Sequence, residues 1–377
     1  MLRLPVDTLP ALVGRQPAAL ELARYADGEF QSVAHQWVLW STGHQPYFAS
    51  DDDAKRQAPA SRLAANDRLL VRREDAGERL DGAGPPTLLA ELPVGQGERR
   101  RYLYVLARPP FQGFAPAVTL QRAPLAVRTD HYRLTFNDNN LFLWRDFLYR
   151  DYRPPPGHGA TLLDSLKLRL SAGIFSASAR LTLTNENLDP IIREVIEGPL
   201  ATLVYATTKV RVAGLALLTV HNYFIFMDNA IAVHSRLTLP GIAAAVLREP
   251  SAWVTVDGNA LDGARLRTSW TGALEAVVDG RLSPEEKSMI GRPVTADNRL
   301  WFSTGRGFDL QARLRFVEGF DTAIRFIYQD DHKLADPPER FPGQRPNVGF
   351  RLDGIPFGDE FYFIAELRFS NGADRAP

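Results

Sequence analysis

Cysteine is absent from the 377 residues, which removes thiol nucleophiles, disulfides and cysteine-ligated metals together. An excess of either charge is absent too: Lys plus Arg and Asp plus Glu number 44 each, so the formal net charge is zero. Nothing in that balance attracts nucleic acid or an anionic membrane surface, and neither is expected as a partner. No stretch reaches the roughly 18 uninterrupted apolar residues of a membrane-spanning helix. The start, MLRLPVDTLPALVGRQP, lacks a continuous apolar run and does not read as an intact signal peptide. A processed chain with a restored Met would look the same, and a periplasmic or extracellular setting then suits it; the compartment stays open. Also missing are Gly-x-Gly-x-x-Gly after a strand, a P-loop Gly-Lys-Ser/Thr, Gly-x-Ser-x-Gly and His-Glu-x-x-His. Nucleotide cofactors, serine hydrolysis and zinc proteolysis have no footing, and no cofactor is expected.

What is present is sheet-forming sequence. Apolar residues make up 45%, with 21 Phe and 11 Tyr, a composition that favours strands over a helix bundle. At this length one core is unusual and two domains are expected. Up to residue 125, runs such as DRLLVRRE, TLLAELPV and RRRYLYVLARP are separated by Asp81-Gly82 and Gly95-Gln96-Gly97, and Ser32 to Trp40 reads as a strand. Beyond it come DHYRLTF and LFLWRDFLYR around Asn137-Asp138-Asn139-Asn140, then LKLRL, ARLTLT, a strand over Ala201 to Val212, QARLRF, AIRFIY and FIAELRF. Helix is expected only in GIAAAVLREP, stopped by Pro250, and from Ser283-Pro284-Glu285-Glu286. Asp330 to Pro346 reads as a long loop over one sheet edge. The fold class is all-β: a small β-barrel-like domain over 1–125, then a large antiparallel β-sandwich, supersandwich-like, over 126–377.

Leu217 to Leu239, LLTVHNYFIFMDNAIAVHSRLTL, reads as a hairpin turning at Asp228-Asn229. A two-residue loop opposes Met227 to Ala230, Phe226 to Ile231, Phe224 to Val233, Tyr223 to His234 and His221 to Arg236. Alternation puts Val220, Phe224, Phe226, Ile231, Val233 and Leu237 on one face and gathers His221, Tyr223, His234 and Arg236 on the other. Opposed residues have Cβ atoms about 4.5–5.5 Å apart, so the polar four form two touching pairs. For β-elimination from a uronate, Arg236 would neutralise the carboxylate, a histidine would remove the carbon-bound proton, and Tyr223 would protonate the leaving oxygen. The same four residues equally make the wet face of an antiparallel sheet. A three-residue loop would send His234 and Arg236 to the opposite side.

Aromatic segments near loops are the ligand-binding candidates: Trp37, Trp40 and Tyr47, and Trp301 with Phe302. Exposed rings stack on sugars, whereas packing into the core is their commoner fate. His131 and Arg133 share a strand face that borders solvent or an inter-domain contact. Asp51-Asp52-Asp53 lacks the ordered spacing of a calcium loop, Asp330-Asp331-His332 reads as a solvated loop, and no metal site is expected.

Glu197-Gly198-Pro199-Leu200 after a strand, a strand carrying Lys209, then Gly214, two long strands and His234-Ser235-Arg236-Leu237 resemble the β-supersandwich of YetA-like exo-rhamnogalacturonan lyases, and more distantly hyaluronate-lyase-like enzymes. The resemblance covers about residues 127 to 240, and it implies a smaller β-barrel ahead of the sandwich. Those enzymes build their cleft against an α/α-toroid, and this chain has no run of paired amphipathic helices. The function expected is a non-catalytic carbohydrate-binding or assembly protein. The alternatives are a polysaccharide lyase or hydrolase acting through the hairpin cluster, and a structural subunit whose aromatic loops bind a protein partner.

Overall fold

A computed structural model describes residues 1–212, 215–317 and 323–372. The chain is all-β, with short 3-10 turns and, among the described residues, one α-helix, Pro284–Ile290. That helix begins where Ser283 accepts the Glu286 N–H and the Glu286 carboxylate accepts the Ser283 N–H, a reciprocal cap behind Pro284. No helix among the described residues is long and apolar enough to cross a membrane.

Two compact units make up the chain: Met1–Val118 with Glu194–Leu203, and Thr119–Arg193 with Val204–Pro377. The first holds a three-stranded sheet, ordered Leu2–Pro5, Arg68–Val71, His35–Val38, and a four-stranded sheet, ordered Glu29–Ser32, Glu21–Ala26, Arg101–Leu106, Leu88–Val94. Leu12, Leu22, Leu63, Leu69, Leu103 and Val105 fill one shared core. Residue 125 opens a strand, Leu125–Thr129, in the sheet Val118–Arg122, Leu125–Thr129, Tyr132–Phe136, Trp144–Tyr149, so a boundary drawn there falls inside continuous pairing.

The second unit is a sandwich. Its five-stranded sheet runs Arg180–Leu183, Leu163–Ile174, Leu247–Gly258, Gln344–Asp353, Ala323–Asp331. A nine-stranded sheet, whose first two strands include residues of the segment Glu194–Leu203, runs Leu188–Glu197, Ala201–Val212, Leu215–Met227, Ala230–Thr238, Glu360–Ser370, Asp309–Phe316, Leu300–Ser303, Arg265–Thr268, Glu275–Val277. Alternation sends Val220, Phe224, Val233, Leu237, Phe363 and Leu367 toward the space between the sheets. Two polar residues, Asn222 and Ser235, share that apolar face. Thr208 donates to the Asn222 Oδ1 at 2.7 Å and Asn222 Nδ2 donates to Ser235 at 2.9 Å, so the row satisfies itself.

Two expectations change. GIAAAVLREP is a 3-10 turn, Gly241–Ala245, followed by the strand Leu247–Gly258 with Pro250 inside it. Pro250 is tolerated there because the pairing shifts at a bulge beside it, with Glu249 at φ 47°. The segment after Asp331 lies across the outward face of the five-stranded sheet rather than over its edge: Ser165 donates to the Pro338 carbonyl at 2.9 Å and Arg169 to that of Pro337 at 3.0 Å. The turn expected at Gly214 lies outside the described residues.

Candidate functional site

The hairpin has the two-residue loop. Met227 opposes Ala230, Tyr223 opposes His234 and His221 opposes Arg236. The four polar residues therefore share one face, among neighbours that the sequence does not name. Tyr205 on the adjacent strand stacks on Tyr223, with centroids 5.1 Å apart, and its hydroxyl lies 2.9 Å from His221 Nδ1. On the other side, Tyr362 lies 2.7 Å from His234 Nδ1. Burial holds the Tyr362 phenol well above its ordinary range, opposed by Arg236. Tyr223 and His234 are 0% and 1% exposed, and Arg236 faces Glu360 at 3.4 Å. The arrangement is a packed aromatic and imidazole row.

Farther across the same face the surface opens. Trp301, half-buried, sits in a cross-strand row: Arg267 opposes Trp301, Trp301 opposes Gln311, and Gln311 opposes Arg368. Three strand spacings make that row about 14 Å wide. Beside it lies a recess of about 190 Å³ lined by Arg299, Gln311, Arg313, Glu366 and Arg368. Arg299 is 2.9 Å from Asp297, Arg313 is 3.8 Å from Asp297, and Arg315 is 3.4 Å from Glu366. Three guanidinium groups thus face the carboxylates of Asp297 and Glu366. Farther out, burial pushes the Glu275 carboxyl up, but hydrogen bonds from Arg267 and Arg265 outweigh it and leave Glu275 below the usual range.

Phe302 is different. One position along the strand from Trp301, it turns inward, 6% exposed, and offers nothing to a ligand on the outer face. Trp37 packs against the core of the first unit. The rings of Trp40 and Tyr47 each carry a guanidinium 5.3 Å from the centroid, from Arg68 and Arg56 respectively. Arg56 is itself buried and forked onto Asp67 at 2.8 and 2.9 Å. All three N-terminal rings are half-buried. Elsewhere, His131 lies 3.4 Å from Asp228. Asp330 and His332 diverge: buried Asp330 accepts the Asp279 and Gly280 N–H groups, and His332 reaches Asp262 at 3.2 Å.

A second concentration of charge sits on the outward face of the five-stranded sheet. Lys167, fully buried, lies 2.7 Å from Asp257, 3.8 Å from Asp336 and 4.0 Å from Glu339, and donates to Gln344 at 2.8 Å. Burial pushes Asp257 up to about 7 despite the ammonium beside it. Two residues along from the Lys167–Thr255 pair, Trp253 lies between Arg169 and Arg351, 5.8 and 5.3 Å from their guanidinium carbons. LKLRL signals the strand, but nothing in it signals the residues that cover Lys167.

No family model matches the chain, and no curated protein matches it at significance. Among solved structures it is similar to the heparan sulfate lyase HepC from Pedobacter heparinus, at 10% identity and a TM-score of 0.30, over 50% of this chain and 23% of that one. It is similar to heparinase III at 10% identity and 0.28, over 49% and 22% of the two chains. It is also similar to an α-mannosidase from Enterococcus faecalis V583 at 10% identity and 0.44, over 99% and 41%. The chain spans less than half the length of each.

Proposed function

We propose that this chain is a non-catalytic carbohydrate-binding protein, that its binding surface is the outward face of the nine-stranded sheet around Trp301, and that it selects acidic saccharides. The observation that carries the reading is the row Arg267–Trp301–Gln311–Arg368 beside an arginine-lined recess. A ring face supplies sequence-tolerant stacking on a pyranose, a carboxamide supplies directional hydrogen bonds, and guanidinium groups match carboxylates or sulfates bidentately. The test is titration with uronate-containing and sulfated oligosaccharides, against neutral ones of equal length. Binding should weaken with salt, and Trp301→Ala and Arg313→Ala should each lose about tenfold in affinity, or ~1.4 kcal/mol. A folded wild-type chain that binds none of these saccharides refutes the proposal.

A second reading, β-elimination at His221, Tyr223, His234 and Arg236, is favoured by the register that pairs them. Against it stand the burial of Tyr223 and His234. Ultraviolet absorbance from an unsaturated uronate product, lost in Tyr223→Phe, would establish that chemistry.

A further inference from the structure

The two sheets of the sandwich do not close fully on each other. A cavity of about 240 Å³ remains between them, walled by side chains such as Leu168, Leu170, Val254, Val348, Phe363 and Leu367. These six face inward by strand alternation, yet each remains partly exposed. Protein interiors leave few voids larger than a water molecule, and an apolar void of this order stays dry and accepts apolar guests. The cavity is long: its lining on one strand runs from Leu163 to Leu170, about 23 Å at the rise of a β-strand. Three of its polar wall residues, Thr208, Asn222 and Ser235, are bonded to one another, and Arg313 and Trp253, which also border it, occupy strand positions that alternate toward the outer faces. A saccharide, nucleotide or peptide brings polar groups that such walls leave unsatisfied. A flexible hydrocarbon chain brings none.

We infer that this cavity binds one long unbranched acyl chain, a fatty acid or the tail of an acylated ligand, lying along the strands. The site is on the opposite side of the nine-stranded sheet from Trp301 and does not depend on saccharide binding. The test titrates the full chain with dansyl-labelled undecanoic acid and follows fluorescence. Saturable enhancement at one probe per chain, displaced by hexadecanoic acid, is the expected result. Absence of a saturable signal from folded protein overturns the inference, and so does displacement by a rigid sterol but not by hexadecanoic acid. Ala365→Phe, which fills the cavity from the nine-stranded side, should weaken the probe at least tenfold with the sheet signature in circular dichroism unchanged. Unaltered affinity in that folded variant places the probe elsewhere and overturns the inference. Should Ala365→Phe not fold, Val348→Phe fills from the facing sheet and is read the same way, and the wild-type titration stands alone as a test.

Discussion

Lys167 and Asp257 show how much a single strand position conceals. LKLRL alternates, so Lys167 and Arg169 belong on the polar face, and they do. That the polar face is buried at Lys167 follows from residues some 170 positions later, Asp336, Glu339 and Gln344, which no local pattern connects to it. An ammonium without exposure is held only by its partners, so Lys167→Met, which strands Asp257, should cost about 3–5 kcal/mol in urea unfolding. The further change Asp257→Leu in that variant should recover most of the loss, because a well-packed apolar pair replaces an expensive ionic one. The pH dependence has a definite sign. Asp257 has a folded value near 7 against 3.8 for the free side chain, with burial the main cause. The native state therefore holds this proton more tightly than the unfolded state, a contribution fully present below about 4 and lost as pH rises through about 7. Asp257→Asn should flatten that part of a stability profile measured from pH 4 to 8. A profile as steep in the variant as in the wild type would assign the slope to other groups.

Elements were legible where their signals are local. Ser283-Pro284-Glu285-Glu286 carries a complete cap within four residues, and Asp228-Asn229 fixes a register because a two-residue loop leaves no freedom to slip. That register is why the polar four of the hairpin could be placed together from sequence, and alternation alone is why Trp301 and Phe302 face opposite ways. The neighbours Tyr205, Tyr362, Gln311 and Arg368 were not legible. They come from strands whose order, Ala230–Thr238 beside Glu360–Ser370 beside Asp309–Phe316, is set by non-local pairing. Pro250 misled for the opposite reason: its usual meaning as a stop was overridden by a bulge. The helix cap gives a graded prediction. Ser283→Ala should cost about 1 kcal/mol. Glu286→Ala should cost more, because its buried carboxylate also accepts the Val277 N–H at 2.9 Å and so ties the helix to a strand. Urea midpoints for the two variants, at constant slope, check the order.

At the scale of the whole chain, the first unit is not a contiguous stretch. Glu194–Leu203 belongs to it, and the contacts are specific. The Gln36 carboxamide oxygen accepts the Leu200 and Ala201 N–H groups at 3.2 and 2.8 Å, Ala117 donates to the Pro199 carbonyl at 3.0 Å, and Thr202 donates to that of Val118 at 3.2 Å. Gly198 is required for this approach, since a Cβ there would lie 2.3 Å from the Gln36 side chain. Leu200 and Ala201 are 0% exposed. A sequence read in order presents 1–125 as a self-contained run of strands, because the segment that completes it arrives some 70 residues later. Cutting at 125 therefore leaves a buried carboxamide oxygen and a backbone N–H without partners, each worth about 1–3 kcal/mol, and opens the core where Leu200 sat. A unit of this size has only about 5–15 kcal/mol of stability in total. The fragment 1–125 expressed alone should give a collapsed amide spectrum and bind a hydrophobic dye. The fragment 1–118 joined through a flexible linker to 194–203 should recover dispersed resonances. Gln36→Ala in the joined fragment should remove most of that recovery, and a well-dispersed spectrum from 1–125 alone would show that the segment decorates the unit rather than completing it.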